Sequence, residues 1–216
     1  MAAGTQDAEN VEQAAAALRA ADPVLAGLID TYGVDGMSHQ RRGRPSDRYG
    51  VLVRAIVGQQ LSTRAADAIY GRLVERFGGR PPTPEEVLAD DPEELRVSAG
   101  LSHAKVAYLR SLAEHVLDGS LQLNKLGRLP DEEVIAELVS VKGIGLWSAQ
   151  IFLMFNLHRP DVVAAGDLGI RRAVMVAYGL DRMPTQSEVV ELAEKWRPYR
   201  TLACLLLWRS LHAAPI

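Results

Sequence analysis

Residues 138–149 read LVSVKGIGLWSA, in which two glycines enclose a single aliphatic residue. The flanking patterns predict one helix that ends near Val139 and a second that begins at Leu146. Glycines allow a tight backbone turn between two packed helices. The N–H groups at the start of the second helix can then bind an anion such as phosphate without reading sequence. An ordinary turn between two helices explains this stretch, taken alone, equally well.

A second informative stretch, DVVAAGDLGIRR, covers residues 161–172 and contains Asp167, 22 residues after Gly145. This distance leaves room for one helix of about 12 residues and a returning loop, so we expect Asp167 to come back close to the turn. By itself, an aspartate after a glycine is most simply the N-cap of the next helix. The two roles are compatible, because a capping carboxylate can keep one oxygen for a ligand.

Helix start and stop signals recur along the chain, whereas strand patterns are nearly absent. Capping boxes are formed by Thr83 with Glu86 and by Thr185 with Glu188. These signals predict an all-α fold in which the first ten or so residues are frayed. The predicted helices cover about 11–20, 23–32, 47–59, 63–77, 84–89, 92–98, 103–118, 131–139, 146–157, 168–178, 186–195 and 199–212.

The composition is that of a globular protein. The chain has 216 residues, of which 48% are hydrophobic and 24% charged, enough for a substantial core. No apolar run approaches the roughly 20 residues that span a bilayer, and the acidic N-terminus lacks a signal-peptide core, so we expect a cytoplasmic protein. The single cysteine, Cys204, lies in an apolar run and is expected to be a buried thiol that ligates no zinc or iron–sulfur cluster.

The charges are unevenly distributed along the chain. A net charge of −3 argues against a nucleic-acid partner, because phosphate binding needs positive charge. However, residues 41–72 contain only two aspartates, Asp47 and Asp67, whereas residues 85–94 are acidic without one basic residue. A solvated surface is the default interpretation of both clusters, and a DNA-binding face is the alternative. The arginines of the basic cluster are Arg41, Arg42, Arg44, Arg48, Arg54, Arg64 and Arg72.

The two stretches together, VKGIGLWSA and AGDLGIRR, resemble the helix-hairpin-helix and Gly/Pro-Asp signature of the DNA base-excision glycosylases. Three further blocks occur in the family's order: LVRAIVGQQLS at 52–62, GLSHAKVAYL at 100–109 and WRPYRT at 196–201. Within the family, the chain is similar to the alkylpurine branch, DNA-3-methyladenine glycosylase II. The resemblance covers roughly residues 20–212, and five ordered blocks are far more specific than any one of them.

This resemblance implies a fold of two helical lobes, with the lesion pocket between them and the hairpin and Asp167 at its mouth. One lobe would comprise about 20–45 and 160–216, and the other about 46–159. Residues 1–14 would form a disordered extension to a glycosylase domain at 15–216. The implied partner is double-stranded DNA with damaged bases, bound by a monomer that associates with the nucleoid if the source is bacterial.

The resemblance also implies roles for individual residues. Asp167 matches the catalytic aspartate, and Gln60 with Leu61 matches the wedge that fills the gap left by the flipped nucleotide. The turn that binds phosphate matches Lys142, Gly143, Ile144 and Gly145. The backbone carbonyls that would hold a structural Na⁺ or K⁺ ion match those of Val139, Val141 and Ile144. No other cofactor is expected.

Position 147 decides the type of glycosylase. Trp147 stands where the bifunctional relatives carry the lysine that attacks the sugar, and Trp cannot form a Schiff base, so a monofunctional enzyme is implied. The family's usual proline and aromatic residue before the aspartate are replaced by Ala164 and Val163. We therefore expect a less rigid loop there. The single cysteine excludes the iron–sulfur cluster of some relatives, and we expect a minimal version of the fold without the N-terminal β-domain of larger relatives.

The chemistry of alkylated purines agrees with this assignment. A purine alkylated at N3 or N7 is cationic and leaves readily, so the enzyme mainly needs an anion near the sugar. A carboxylate at Asp167 can stabilise the oxocarbenium-like sugar and align or deprotonate the attacking water. A cationic base binds well against an electron-rich ring. Trp147 is the nearest candidate, followed by Tyr49 and Tyr199, although Trp147 could instead pack in the core.

Two other functions are compatible with the sequence. One is a related glycosylase for deaminated or oxidised bases, although oxidised-base lyase chemistry would favour a lysine at position 147. The other is a non-catalytic DNA-binding module that uses the hairpin alone, which would leave Asp167 without a purpose. Among substrates, N3-methyladenine, N7-methylguanine, ethenoadenine, hypoxanthine and N1-methyladenine remain alternatives.

Overall fold

A computed structural model of the protein describes residues 2–35, 37 and 47–213. Within these ranges the secondary structure is entirely helical, which confirms the all-α prediction. The α-helices are α1 (Ala2–Ala21), α2 (Pro23–Tyr32), α3 (Arg48–Gly58), α4 (Thr63–Arg76), α5 (Pro84–Ala89), α6 (Pro92–Ala99), α7 (His103–Leu117), α8 (Asp131–Ser140), α9 (Leu146–Phe155), α10 (Leu168–Ala177), α11 (Gln186–Ala193) and α12 (Arg200–Ala213). Short 3₁₀ turns occur at Leu126–Arg128 and Glu194–Trp196.

The chain divides into two compact units. We call Met1–Arg41 with Leu153–Ile216 the terminal unit, and Arg42–Phe152 the central unit. The predicted boundary near 159 differs from the observed one, which falls inside α9. The predicted boundary near 45 lies outside the described residues. No helix in the described ranges is both long enough and apolar enough to cross a membrane.

The largest difference from the predicted helices is at the N-terminus. α1 begins at Ala2 rather than near residue 11, so the expected disordered extension over residues 1–14 is wrong for residues 2–14; residue 1 lies outside the described part. The physical reason is composition, because alanine has the highest helix propensity and α1 is rich in it. Ala14, Ala15 and Leu18 are buried, and α1 packs against α2 and α12.

Local caps set the helix starts where the sequence predicts them. Both capping boxes are present, with the Thr83 hydroxyl accepting from the N–H of Glu86, and Thr185 from that of Glu188, at 3.3 Å. Asp91 caps α6 without a capping box, because its carboxylate accepts from the N–H groups of Glu93 and Glu94. These bonds satisfy N–H groups that the first turn of a helix leaves without partners.

The terminal unit contains a fully buried carboxylate. Asp22 caps α2 through the N–H of Val24 and is fully buried. Its Oδ2 accepts hydrogen bonds from the Tyr178 hydroxyl, from Trp196 Nε1 at 2.8 Å and from Lys195 Nζ at 3.0 Å. Burial by itself would raise the pKa of Asp22, but these donors outweigh it and hold the pKa below its usual value. The buried charge therefore ties α2 to the C-terminal half of the chain.

The acidic segment at 85–94 is not an unpaired acidic face. Its side chains form ion pairs with arginines that lie outside the segment, which the linear charge count does not reveal. Arg76 pairs with Asp90, Arg80 with Glu86 and Arg96 with Glu93, each at 2.6 Å. Two of these pairs are local in sequence, and Arg76 with Asp90 joins the end of α4 to the end of α5, so part of the acidic charge is paired.

Candidate functional site

The predicted hairpin is present in the central unit. α8 ends at Ser140 and α9 begins at Leu146, close to the predicted ends. Within the turn, the N–H of Ile144 donates to the carbonyl of Val141 at 3.0 Å. Gly143 has φ +90°, a conformation that residues with a Cβ rarely adopt. The first N–H groups of α9 lack intrahelical acceptors and can therefore bind an anion.

The turn is also closed by neighbouring side chains. A Cβ on Gly143 would lie 2.2 Å from Cγ of Tyr108, so only glycine fits against this ring. The Gly143 carbonyl accepts a hydrogen bond of 2.7 Å from Nε2 of Gln59. The N–H of Lys142 donates to the hydroxyl of Ser111 at 3.3 Å, and the Lys142 side chain is exposed. Lys142 is thus a cation next to a turn whose shape is externally supported.

The carbonyls predicted to hold a monovalent cation belong to the same turn. Val139 lies in the last turn of α8, where carbonyls lack intrahelical donors. Val141 and Ile144 are buried, and the Val141 carbonyl accepts one hydrogen bond, which leaves its second lone pair available. Neutral carbonyl oxygens are ligands that suit K⁺. These three neutral carbonyl oxygens are therefore suitable ligands for a monovalent cation.

The predicted wedge follows α3. The helix ends at Gly58, one residue before the predicted end, and Gln60 is exposed with φ +57°. Leu61 is 37% exposed. The side chain of the neighbouring Gln59 is half-buried and bonds the hairpin instead. Gln60 and Leu61 thus form an exposed tip, which we call the wedge segment.

Asp167 lies at the N-terminus of α10 in the terminal unit. Its Oδ1 accepts from the N–H of Ile170 at 2.9 Å, which confirms the predicted N-cap role. The same oxygen accepts from Nε1 of Trp208 on α12, also at 2.9 Å. A Cβ on Gly169 would lie 2.9 Å from Oδ1 and 3.3 Å from Trp208. Glycine at 169 therefore permits the close approach of the indole to the carboxylate.

Trp208 and its neighbour Phe155 are not among the site residues that the sequence pattern predicts. Their rings stack with centroids 6.2 Å apart and planes inclined by 25°, and both are partly exposed. Each residue lies in an apolar run, so the pattern favours core packing for both. The only available signal was an aromatic residue at helical spacing, which is more often a core residue than a functional one.

The loop before Asp167 is held by α12. The N–H of Val162 donates to the Thr201 hydroxyl at 3.1 Å, and this hydroxyl donates to the Arg159 carbonyl at 2.7 Å. The N–H of Asp167 donates to the carbonyl of the buried Ala164 at 2.9 Å. Cys204 is fully buried beneath the loop, as predicted, and burial raises the pKa of its thiol to about 12. These contacts hold the loop without the family's proline.

The three aromatic residues predicted for the base pocket occupy different environments. Trp147 is 45% exposed, so packing in the core does not explain it. Tyr49 is only 8% exposed within α3, which gives the expected base contact no support. Tyr199 lines a cavity of about 340 Å³ in the terminal unit, together with His158 and Leu205. Asp167 is not among the residues that line this cavity.

The described part of the basic cluster is largely engaged in structural contacts. Arg54 forms an ion pair with Asp67, Arg48 donates to the Leu123 carbonyl, and Arg72 donates to the Ala99 carbonyl. Arg64 is exposed. Arg41, Arg42 and Arg44 lie outside the described residues.

Residues 53–198 match the family described as HhH-GPD superfamily base excision DNA repair protein. DNA-3-methyladenine glycosylase 1 of Schizosaccharomyces pombe is 35% identical over 217 residues, which cover 97% of this chain and 95% of that protein. The structure of the S. pombe 3-methyladenine DNA glycosylase in complex with abasic DNA has a TM-score of 0.83 at 33% identity, covering 94% of this chain and 98% of that one.

A DNA-3-methyladenine glycosidase from Bacillus halodurans has a TM-score of 0.72 at 34% identity, and the match covers 89% of this chain and 90% of that one. The family match spans most of the chain and includes the hairpin, Asp167 and the wedge segment. The chain belongs to the HhH-GPD superfamily of base excision DNA repair proteins.

Proposed function

We propose that the protein is a monofunctional DNA glycosylase that removes N3- and N7-alkylated purines by hydrolysis of the N-glycosidic bond. The observation that carries the proposal is the carboxylate of Asp167, which two hydrogen bonds hold in place at the start of α10. The relatives named as 3-methyladenine DNA glycosylases support the same substrate class. The protein would act on double-stranded DNA.

Asp167 is the catalytic residue of this proposal. Departure of a cationic purine leaves positive charge on the sugar, which a fixed carboxylate stabilises without reorganisation. The same group aligns or deprotonates the water that attacks the sugar, as carboxylates do in glycoside hydrolysis. Donors from the backbone of α10 and from Trp208 hold it, so the carboxylate does not have to be oriented during the reaction.

The hairpin binds the DNA backbone. Gly143, Ile144 and Gly145 present the amides at the start of α9 to a phosphate, and Lys142 adds a positive charge. The carbonyls of Val139, Val141 and Ile144 would hold a Na⁺ or K⁺ ion that contributes further positive charge next to the phosphate. None of these groups reads a base, so binding is independent of sequence.

The wedge segment fills the gap in the duplex when the damaged base is flipped out. Gln60 and Leu61 enter the duplex, where the exposed amide of Gln60 can hydrogen-bond the base that has lost its partner. Extrusion costs a few kcal/mol, so weakly paired lesions flip most easily. Trp147, whose ring is accessible, is the residue we propose for contact with a cationic base.

The test is base release from a panel of duplexes that each carry one lesion, analysed by chromatography. We expect release of N3-methyladenine and N7-methylguanine, and no release from an undamaged duplex of the same sequence. Release of hypoxanthine alone would assign the enzyme to deaminated bases. Binding to the duplexes without release of any base would contradict the enzyme and leave a DNA-binding module.

A further inference from the structure

One face of α7 contacts both elements that we propose to bind DNA in the central unit. Lys105, Tyr108 and Ser111 are spaced three residues apart, so each is next to the following one and the three lie within about 120° of the helix circumference. Lys105 Nζ donates to the Val57 carbonyl at 2.7 Å, in the last turn of α3 before the wedge segment. Lys105 and Tyr108 belong to the block at 100–109, which the proposed function leaves without a role.

The other two residues of this face contact the hairpin. The ring of Tyr108 lies against Gly143, and the Ser111 hydroxyl accepts from the N–H of Lys142. α7 therefore contacts the end of α3 through Lys105. It contacts the phosphate-binding turn through Tyr108 and Ser111, three and six residues later.

Gln59 makes the direct connection between the two elements. It immediately precedes the wedge segment, and its Nε2 donates to the Gly143 carbonyl at 2.7 Å across 84 residues of sequence. Gly143 is the residue of the turn with φ +90°, and Gln60 has φ +57°. A positive φ is free for glycine but uncommon for glutamine, and it persists where surrounding contacts hold it. The hydrogen bond thus links the turn to the residue directly before Gln60.

The side chain of Lys105 supports the α3 end electrostatically as well. Carbonyls in the last turn of a helix carry partial negative charge and lack intrahelical donors, so an ammonium group there is favourable. Burial lowers the pKa of Lys105, which is consistent with a side chain directed into the protein. Lys105 is part-buried rather than exposed, so it is a poor candidate for a phosphate contact.

We propose that Gln59 is a positioning residue that fixes the wedge segment relative to the phosphate-binding turn. The α7 residues Lys105, Tyr108 and Ser111 support it in this role. Phosphate binding then places Gln60 and Leu61 at a defined depth in the duplex. The consequence for DNA rests on the proposed function. The structural link between the wedge segment and the turn, which we call the coupling, exists in the free protein. It can therefore be measured without DNA.

The coupling is tested first by hydrogen exchange in the free protein. Gln59→Leu keeps the size of the side chain but removes the donor, and we expect about fivefold faster exchange in both 58–63 and 141–146. The matched control is Gln122→Leu, because Gln122 Nε2 donates to the Gly119 carbonyl on the exposed surface of the same unit. The control should alter neither segment. Faster exchange in only one segment, or in neither, would overturn the coupling.

The consequence for DNA is tested with Gln59→Glu. A glutamate can donate to the Gly143 carbonyl only when protonated, so its ionised form breaks the bond and adds repulsion. We expect single-turnover excision by this variant, divided by the wild-type rate at the same pH, to rise about tenfold from about pH 8 to about pH 5. A ratio independent of pH would overturn the positioning role.

These two tests separate the possible failures. If the wild-type protein releases no base from any lesion, the proposed function is wrong, and the exchange experiment still decides the coupling. If the wild-type protein is active and Gln59→Leu behaves like Gln122→Leu in exchange and in excision, the positioning role is wrong and the glycosylase remains.

Discussion

Nε1 of Trp208 donates a 2.9 Å hydrogen bond to Oδ1 of Asp167, the oxygen that also caps α10. The two residues are 41 positions apart, and the loop before Asp167 is itself held by the start of α12. The helix that carries Trp208 therefore sets both the position of the loop and the orientation of the carboxylate. Substitutions of Asp167, Trp208 and Gly169 each test this arrangement.

Replacement of Asp167 by asparagine separates its two roles. Asparagine caps helices nearly as well as aspartate, so the free energy of unfolding should change by no more than about 1 kcal/mol. Loss of the negative charge should lower the single-turnover excision rate by about 100-fold or more. Binding of damaged DNA should survive or tighten, because a carboxylate repels a polyanion in the ground state. A folded variant with a near wild-type rate would remove Asp167 from the mechanism.

Trp208→Phe tests the hydrogen bond to the carboxylate. Phenylalanine retains a ring next to Phe155 but has no donor for Asp167. A hydrogen bond to a charged group contributes about 1.5–3 kcal/mol, so we expect excision to slow by about tenfold or more. Binding of an undamaged duplex, measured in parallel, should stay within about twofold of wild type. Equal losses in excision and in undamaged-duplex binding would point to misfolding rather than to orientation of Asp167.

Gly169→Ala should separate stability from activity. Alanine stabilises a helix interior by up to about 1 kcal/mol relative to glycine. At this position, however, the added methyl would displace the indole or the carboxylate, since both lie within 3.3 Å of it. We expect lower excision without a matching loss of Tm. The control is Gly27→Ala in α2, where nothing lies within 4 Å of the added Cβ and activity should not change. Wild-type excision by Gly169→Ala would show that the close approach is dispensable.

The enzyme should leave an intact abasic site. Position 147 is a tryptophan, which provides no amine for attack on the sugar. Sodium borohydride added during turnover should therefore trap no covalent complex between protein and DNA, as judged by denaturing gel electrophoresis. An efficient trap would show that another amine, such as that of Lys142, reaches the sugar and that the enzyme is bifunctional.

The buried Asp22 should make stability depend on pH. Its pKa is lower in the folded state, since donors from Tyr178, Trp196 and Lys195 outweigh the effect of burial. Its contribution is therefore complete above the pKa of about 3.9 in the unfolded chain and is lost as the pH falls through the lower folded pKa. Asp22→Asn should cost about 3 kcal/mol near pH 7, measured by urea denaturation, and less below about pH 4. A cost that is constant with pH would mean that the charge of Asp22 is unimportant.

The helical fold and the turn could be predicted from the sequence because they depend on neighbours in the chain. A capping box such as Thr83 with Glu86 is complete within four residues, and the glycines around Ile144 permit a turn whatever surrounds them. The N-cap role of Asp167 is equally local. The start of α1 was missed because polar residues near the N-terminus hid the high helix propensity of its alanines.

The supporting residues could not be predicted in the same way. Gln59 looked like part of a helix end, and Trp208 like one more apolar residue of α12. What gives each a specific partner, Gly143 or Asp167, is tertiary packing that joins positions 84 and 41 residues apart. Likewise, the pairing of Asp90 with Arg76 depends on how the end of α4 lies next to the end of α5, whereas the pairs of Glu86 and Glu93 are local in sequence. The sequence by itself determined the local elements, because propensity and capping act over a few residues. Only the tertiary structure decided which side chains orient the carboxylate and support the turn, because those hydrogen bonds depend on how distant helices pack.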